Sequence, residues 1–167
     1  AIAVRISDLS GDGKPDLIVA SALPADNISV LRNESTIGAI SLAARQLFSA
    51  GTSPSALAIG DLDQDGQADI VVSNGGSNNV SIFRNISSVF SISLTAPTTL
   101  AAGTNPFAVA IGDFDGDTKL DIATANDDSS TISVFQNTST SGTISFVAKA
   151  DFSTGTGSGP YGIAIGD

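Results

Sequence analysis

The chain has 167 residues and a formal net charge of −10, with no His, Cys, Met or Trp. An acidic balance of this size excludes a nucleic-acid binder, which needs Lys and Arg gathered on one face. Without Cys there is no disulfide framework, no thiol nucleophile and no zinc site built on thiolates.

In chain order the first unit opens with a short apolar run ending at Ser7. It is followed by an acidic nonapeptide over 8–16, a β-forming run over 17–20, a strand over 28–33 and a segment over 40–42 that leads to Phe48. The second unit begins with a Gly51 to Pro54 lead-in and a strand over 56–61, then repeats the pattern: nonapeptide 61–69, run 70–72, strand 80–85, segment 92–94 and Leu100. The third has its lead-in at Gly103 to Pro106, a strand over 108–113, nonapeptide 113–121, run 122–125, strand 132–137, segment 144–146 and Phe152. A fourth copy starts with Gly157 to Pro160 and reaches Asp167. The repeats therefore divide the chain at about 1–50, 51–102 and 103–156, with the start of another over 157–167.

No helical 3.6-residue stripe occurs, and each apolar run is short and bounded by Gly, Pro, Asn, Asp or Ser. Units of this length with four short antiparallel strands predict an all-β chain of propeller blades, three plus one extra first strand. The first strand of each blade should lie nearest the axis. Leu57 and Ile59 there alternate with Ala56, Ala58 and Gly60, small residues suited to a crowded inner position. The first copy has Arg5 and Ser7 instead, which suits a terminal blade or a side chain facing a central channel. No stretch approaches the roughly 18 apolar residues of a membrane span, and no basic-then-apolar leader pattern stands at the N-terminus.

The chemistry is concentrated in the nonapeptides, which hold 11 of the 17 acidic residues. Ca2+ takes oxygen ligands, and a tight loop can supply them from carboxylates at positions 1, 3, 5 and 9 and the backbone carbonyl at position 7, with Gly at 6 for the sharp turn. The second loop meets every requirement: Asp61, Asp63, Asp65, Gly66, the Gln67 carbonyl and Asp69. The first offers Asp8, Ser10, Asp12, the Lys14 carbonyl and Asp16, with Ser10 in place of a carboxylate. The third offers Asp113, Asp115, Asp117, the Lys119 carbonyl and Asp121, with Thr118 where the others have Gly. Up to three Ca2+ ions are expected, the second loop binding most tightly.

An EF-hand would carry a bidentate Glu at position 12 and continue into a helix; Val19, Val72 and Thr124 stand there, in strand-like sequence. A single Asp-Gly-rich nonapeptide is also explained as a solvated turn. Three in register, each followed by an apolar run, make that explanation much weaker. Mg2+, with its stricter octahedron and retained waters, and Zn or Cu, which want His or Cys, fit less well.

The lead-in Gly51 to Pro54, the Ala58 to Asp61 strand end, the Asp63, Asp65, Gly66 and Asp69 pattern and the 80–85 strand, with their equivalents, resemble the FG-GAP repeat family. That family includes the integrin alpha-subunit propeller and the secreted bacterial repeats called VCBS. The resemblance covers essentially the whole chain. It implies a β-propeller, usually of seven blades, with Ca2+ in the loop joining a blade's first and second strands; Ser10 and Thr118 depart from its pattern.

These readings together lead us to expect a non-enzymatic calcium-binding propeller module, extracellular or at the cell surface, serving adhesion or protein interaction. The alternative is a carbohydrate-binding lectin, or the scaffold domain of a secreted polysaccharide-active enzyme. Its ligand is then a protein or a glycan. Exposed blade faces are expected to be covered by a second copy, two chains giving six blades, or by the rest of a longer propeller. Five Asn-x-Ser sequons, at Asn27, Asn33, Asn79, Asn85 and Asn137, are what chance gives in a chain so rich in Ser and Asn.

Overall fold

The second strand of each unit shows best why this sequence folds as it does. In the computed structural model, which describes residues 2–22 and 26–166, strand β2 (Asp16–Ser21) alternates between buried and half-buried positions, whereas β6 (Asp69–Asn74) is buried at every residue. A strand covered on both faces reads as a continuous apolar run, and one covered on a single face alternates. β6 belongs to a middle sheet, packed between two others. β2 belongs to an end sheet; the second strand of the other end sheet, Asp121–Asn126, is also buried throughout, with residues 160–166 against its side of the stack.

Twelve strands form three antiparallel sheets among the described residues, and none of these residues is helical. The first sheet holds β1 (Ala3–Ser7), β2, β3 (Asn27–Leu31) and β4 (Gln46–Ser49) in sequence order. The second holds β5 (Pro54–Gly60), β6, β7 (Asn79–Phe83) and β8 (Thr98–Ala101). The third holds β9 (Pro106–Gly112), β10 (Asp121–Asn126), β11 (Thr131–Phe135) and β12 (Ala150–Ser153). These are blade-like sheets, side by side and not closed into a ring.

The fourth strands sit around Phe48, Leu100 and Phe152, beyond the segments the periodicity marks as the last of each unit. The preceding 40–42, 92–94 and 144–146 segments instead make small outer hairpins: Leu42, Leu94 and Phe146 bridge back to Asn33, Asn85 and Asn137, and a tight turn closes each tip.

Two apolar layers lie between the sheets. Ile18, Ile28 and Val30 of the first sheet meet Leu57, Ile70 and Phe83 of the second. The opposite face of the second sheet supplies Val71, Val80 and Ile82 to meet Val109, Ile122 and Phe135 of the third. One-residue alternation thus feeds both neighbours, as a period of two requires.

The first strands β1, β5 and β9 run next to one another, and Arg5 lines the cleft they share with Leu57, Ile59, Val109 and Ile111. Crowding there explains the small residues. A Cβ on Gly60 would lie 2.5 Å from Ile111 Cδ1 and 2.8 Å from Leu120 Cδ1. Gly112 stands in the same relation to Ile165, 3.0 Å from the nearest side-chain carbon, so residues 160–166, which lie outside the three sheets, continue the stacking as the start of a next unit. Asp167, the first acidic residue of the fourth copy, lies outside the described residues.

Candidate metal centre

Each acidic loop joins the first strand of a sheet to the second, and its position-1 carboxylate gathers the loop's backbone. Asp8 accepts from the N–H groups of Gly11 at 2.8 Å and Gly13 at 2.7 Å; Asp61 accepts from Asp65 at 3.1 Å and Gly66 at 2.9 Å. Asp113 accepts from Gly116 at 2.7 Å and Thr118 at 2.8 Å. The position-5 carboxylates of Asp12, Asp65 and Asp117 each accept the N–H of position 7, Lys14, Gln67 or Lys119, at 2.9 Å. Residue 7 is thus held to the loop through its backbone N–H.

The turn at position 6 requires φ > 0 in all three loops: +82° at Gly13, +89° at Gly66 and +74° at Thr118. A β-branched residue there is strained by about 1–3 kcal/mol. Thr118→Gly is expected to raise the melting temperature by about 2–4 °C per kcal/mol recovered, read by calorimetry in chelator.

Carboxylate clustering separates the copies. Asp61, Asp63 and Asp65 each place an oxygen within 4.8 Å of the others, and so do Asp113, Asp115 and Asp117. A Ca2+ ion held at about 2.3–2.6 Å by two oxygens spaces them no more than roughly 5 Å apart, so both all-oxygen sets fit that ion. Asp63 is buried, whereas all three members of the third cluster are exposed. Among the described residues the first loop makes no such three-carboxylate group: Ser10, itself buried, turns its hydroxyl toward Asp8 Oδ1 at 3.4 Å.

The position-9 residues Asp16, Asp69 and Asp121 do something the spacing alone did not reveal. They open the second strands, are buried, and use both oxygens as backbone staples. Asp69 Oδ2 accepts from Leu62 N at 3.0 Å and Oδ1 from Asn85 N at 2.8 Å. Asp16 accepts from Leu9 and Asn33 at 2.9 and 2.8 Å, and Asp121 from Phe114 and Asn137 at 2.9 and 2.8 Å. Each carboxylate oxygen has two lone pairs, so two such bonds leave acceptor capacity for a cation. Burial pushes the Asp69 carboxyl up to about 6; the N–H donors of Asn85 and Leu62 work against this, and the charges of Asp63 and Asp65 add to it.

Neighbouring sheets close over these loops. Asn85 Nδ2 donates to Leu9 O at 2.9 Å and Asn137 Nδ2 to Leu62 O at 2.8 Å, so the ends of β7 and β11 each clamp the acidic loop of the preceding sheet. Both Asn side chains are buried, which removes Asn85 and Asn137 as glycan acceptors in the folded chain. The N–H of Gly142, at the tip of an outer hairpin of the third sheet, donates to Asp63 Oδ2 at 2.9 Å. Gln64 Nε2 reaches Thr118 O at 3.0 Å, linking the second loop to the third. Order in a loop is thus order in the contact between two sheets.

Comparison with known proteins agrees with this geometry. The chain matches the FG-GAP-like repeat description three times, over residues 8–72, 61–124 and 113–167. No curated protein and no solved structure matches it.

Proposed function

The chain belongs to the FG-GAP-like repeat family, and on that premise we propose that it is a calcium-binding propeller module of an extracellular protein, serving adhesion or protein interaction rather than catalysis. The observation that carries this reading is the clustering of three carboxylates in each of two equivalent loops, at the seam between sheets. Ca2+ held there neutralises mutually repelling carboxylates and rigidifies the connection, leaving the exposed outer hairpins and loop tips to meet a partner. The position-9 carboxylates are engaged in stapling and the chain has no His or Cys, which favours binding over catalysis.

Calorimetric titration with CaCl2 tests the metal assignment. Asp61→Ala and Asp113→Ala are each expected to remove one binding event, at least a tenfold loss of affinity at the altered loop, while circular dichroism keeps its β signature. Uptake unchanged in both variants contradicts the reading.

A specific contact favours glycan binding as a second reading. Phe107 and Tyr161 meet edge to face with ring centroids 5.0 Å apart, both rings partly exposed, and Asp127 beside the phenol raises its pKa above the ordinary value. Exposed aromatic faces beside a carboxylate suit a sugar ring. A glycan array separates the two: binding lost in Tyr161→Ala supports the lectin, and silence leaves protein interaction ahead.

A further inference from the structure

The residue before the clamping Asn differs among the copies: Arg32, Arg84 and Gln136. Arg84 Nε donates to Asp63 Oδ2 at 2.6 Å and Nη2 to Asp65 Oδ2 at 2.5 Å. One planar guanidinium therefore spans two of the three carboxylates that cluster in the second loop. The Arg84 side chain is 22% exposed and that of Asp63 fully covered, so this is not a screened surface pair. In the third unit Gln136 Nε2 donates to the equivalent Asp115 Oδ2 at 2.5 Å, with the same reach and no charge. In the first, where Ser10 replaces the carboxylate, Arg32 pairs with Glu34 instead. Among the described residues no ion pair involves Lys119, so the third cluster has no equivalent cation seated on it.

We propose that Arg84 is the resident counter-ion of the second loop: it holds the loop closed when no Ca2+ is bound and sets the loop's affinity for the metal lower than a neutral residue would. This rests on the reading of the acidic loops as calcium sites. Without a cation, three clustered carboxylates repel one another, and the guanidinium relieves that repulsion at two of them. With Ca2+ present, the same positive charge opposes a divalent ion drawn to the same groups, an effect of about tenfold in affinity for a charge a few ångströms away in a partly solvated site. Counting ligands ranks the second loop first; Arg84 acts against that ranking, and Gln136 does not act against the third. The second loop is then prepared in advance and only modestly metal-dependent, while the third relies on its ion.

The test is a reciprocal exchange in the full chain, read by CaCl2 calorimetry and by melting in EDTA and in Ca2+. Arg84→Gln is made with Asp117→Asn to silence the third loop, and Gln136→Arg with Asp65→Asn to silence the second; each parent carries the silencing change alone. Arg84→Gln is expected to melt lower in EDTA, bind Ca2+ about tenfold tighter and widen the gap between the two melting temperatures. Gln136→Arg is expected to bind about tenfold more weakly and narrow that gap. Weaker or unchanged binding in Arg84→Gln overturns the proposal, because Arg84 then orients the ligands or stands apart from them. If neither the natural chain nor Arg84→Gln takes up Ca2+, the calcium reading fails and this proposal with it. If the natural chain binds and both exchanges are silent, only the counter-ion role fails.

Discussion

Asp69→Ala is expected to destabilise the protein by about 2–6 kcal/mol even in chelator, where metal contributes nothing, because two buried N–H groups lose their acceptor at about 1–3 kcal/mol each. Those donors are Leu62 N and Asn85 N, one from the acidic loop and one from the end of β7. At about 2–4 °C per kcal/mol, the melting temperature falls by roughly 4–24 °C. Asp61→Ala is the informative control. Its partners, the N–H groups of Asp65 and Gly66, are partly or wholly exposed, and water can replace the lost acceptor. In chelator Asp61→Ala should therefore cost far less than Asp69→Ala. Equal losses contradict the stapling role.

Protonation acts on the same carboxyl. Because its folded pKa is raised to about 6 from 3.8, its linkage favours the fold most below about pH 4, and that contribution is lost as pH rises through 6. A bound cation favours the ionised form and opposes this trend.

Phe83→Ala is expected to cost about 3–5 kcal/mol and Leu31→Ala much less, although the two occupy equivalent positions of the repeat. Phe83 is 1% exposed, in the layer between the first and second sheets; Leu31 is half-buried on an end face. The difference, measured by urea denaturation, reports how much each blade depends on its neighbour. Similar losses at both positions mean that the sheets are stabilised from within rather than by stacking.

Much of this was legible from the residues. Period-two apolar runs, the regular spacing and the small residues at Ala58 and Gly60 gave the sheets and their order, because those features are set by strand geometry and close approach. The acidic loops were legible as far as ligand chemistry goes, and the strained Thr118 turn was visible as a substitution at a position that needs φ > 0. Three things were not. The position-9 carboxylates read as ligands, yet their hydrogen bonds go to Asn33, Asn85 and Asn137, some 16 or 17 residues away, a pairing that only the sheet register creates. Asn85 and Asn137 read as strand-end and sequon residues, although their recurrence at the same place in each unit was a signal of a structural task. Arg84 read as one of several scattered cations, solvated or paired with loop carboxylates, and its particular partners stayed hidden because the side chain that meets a loop 19 to 21 residues earlier is chosen by the β6–β7 pairing and not by local sequence.

The most direct measurement is the melting temperature of the intact chain in EDTA and in saturating CaCl2. A ligand at 100 times its dissociation constant stabilises by about 2.7 kcal/mol per site, so Ca2+ should raise the melting temperature by roughly 5–11 °C for one occupied loop, reversibly on chelation. The same melting temperature in both conditions contradicts calcium binding at the acidic loops.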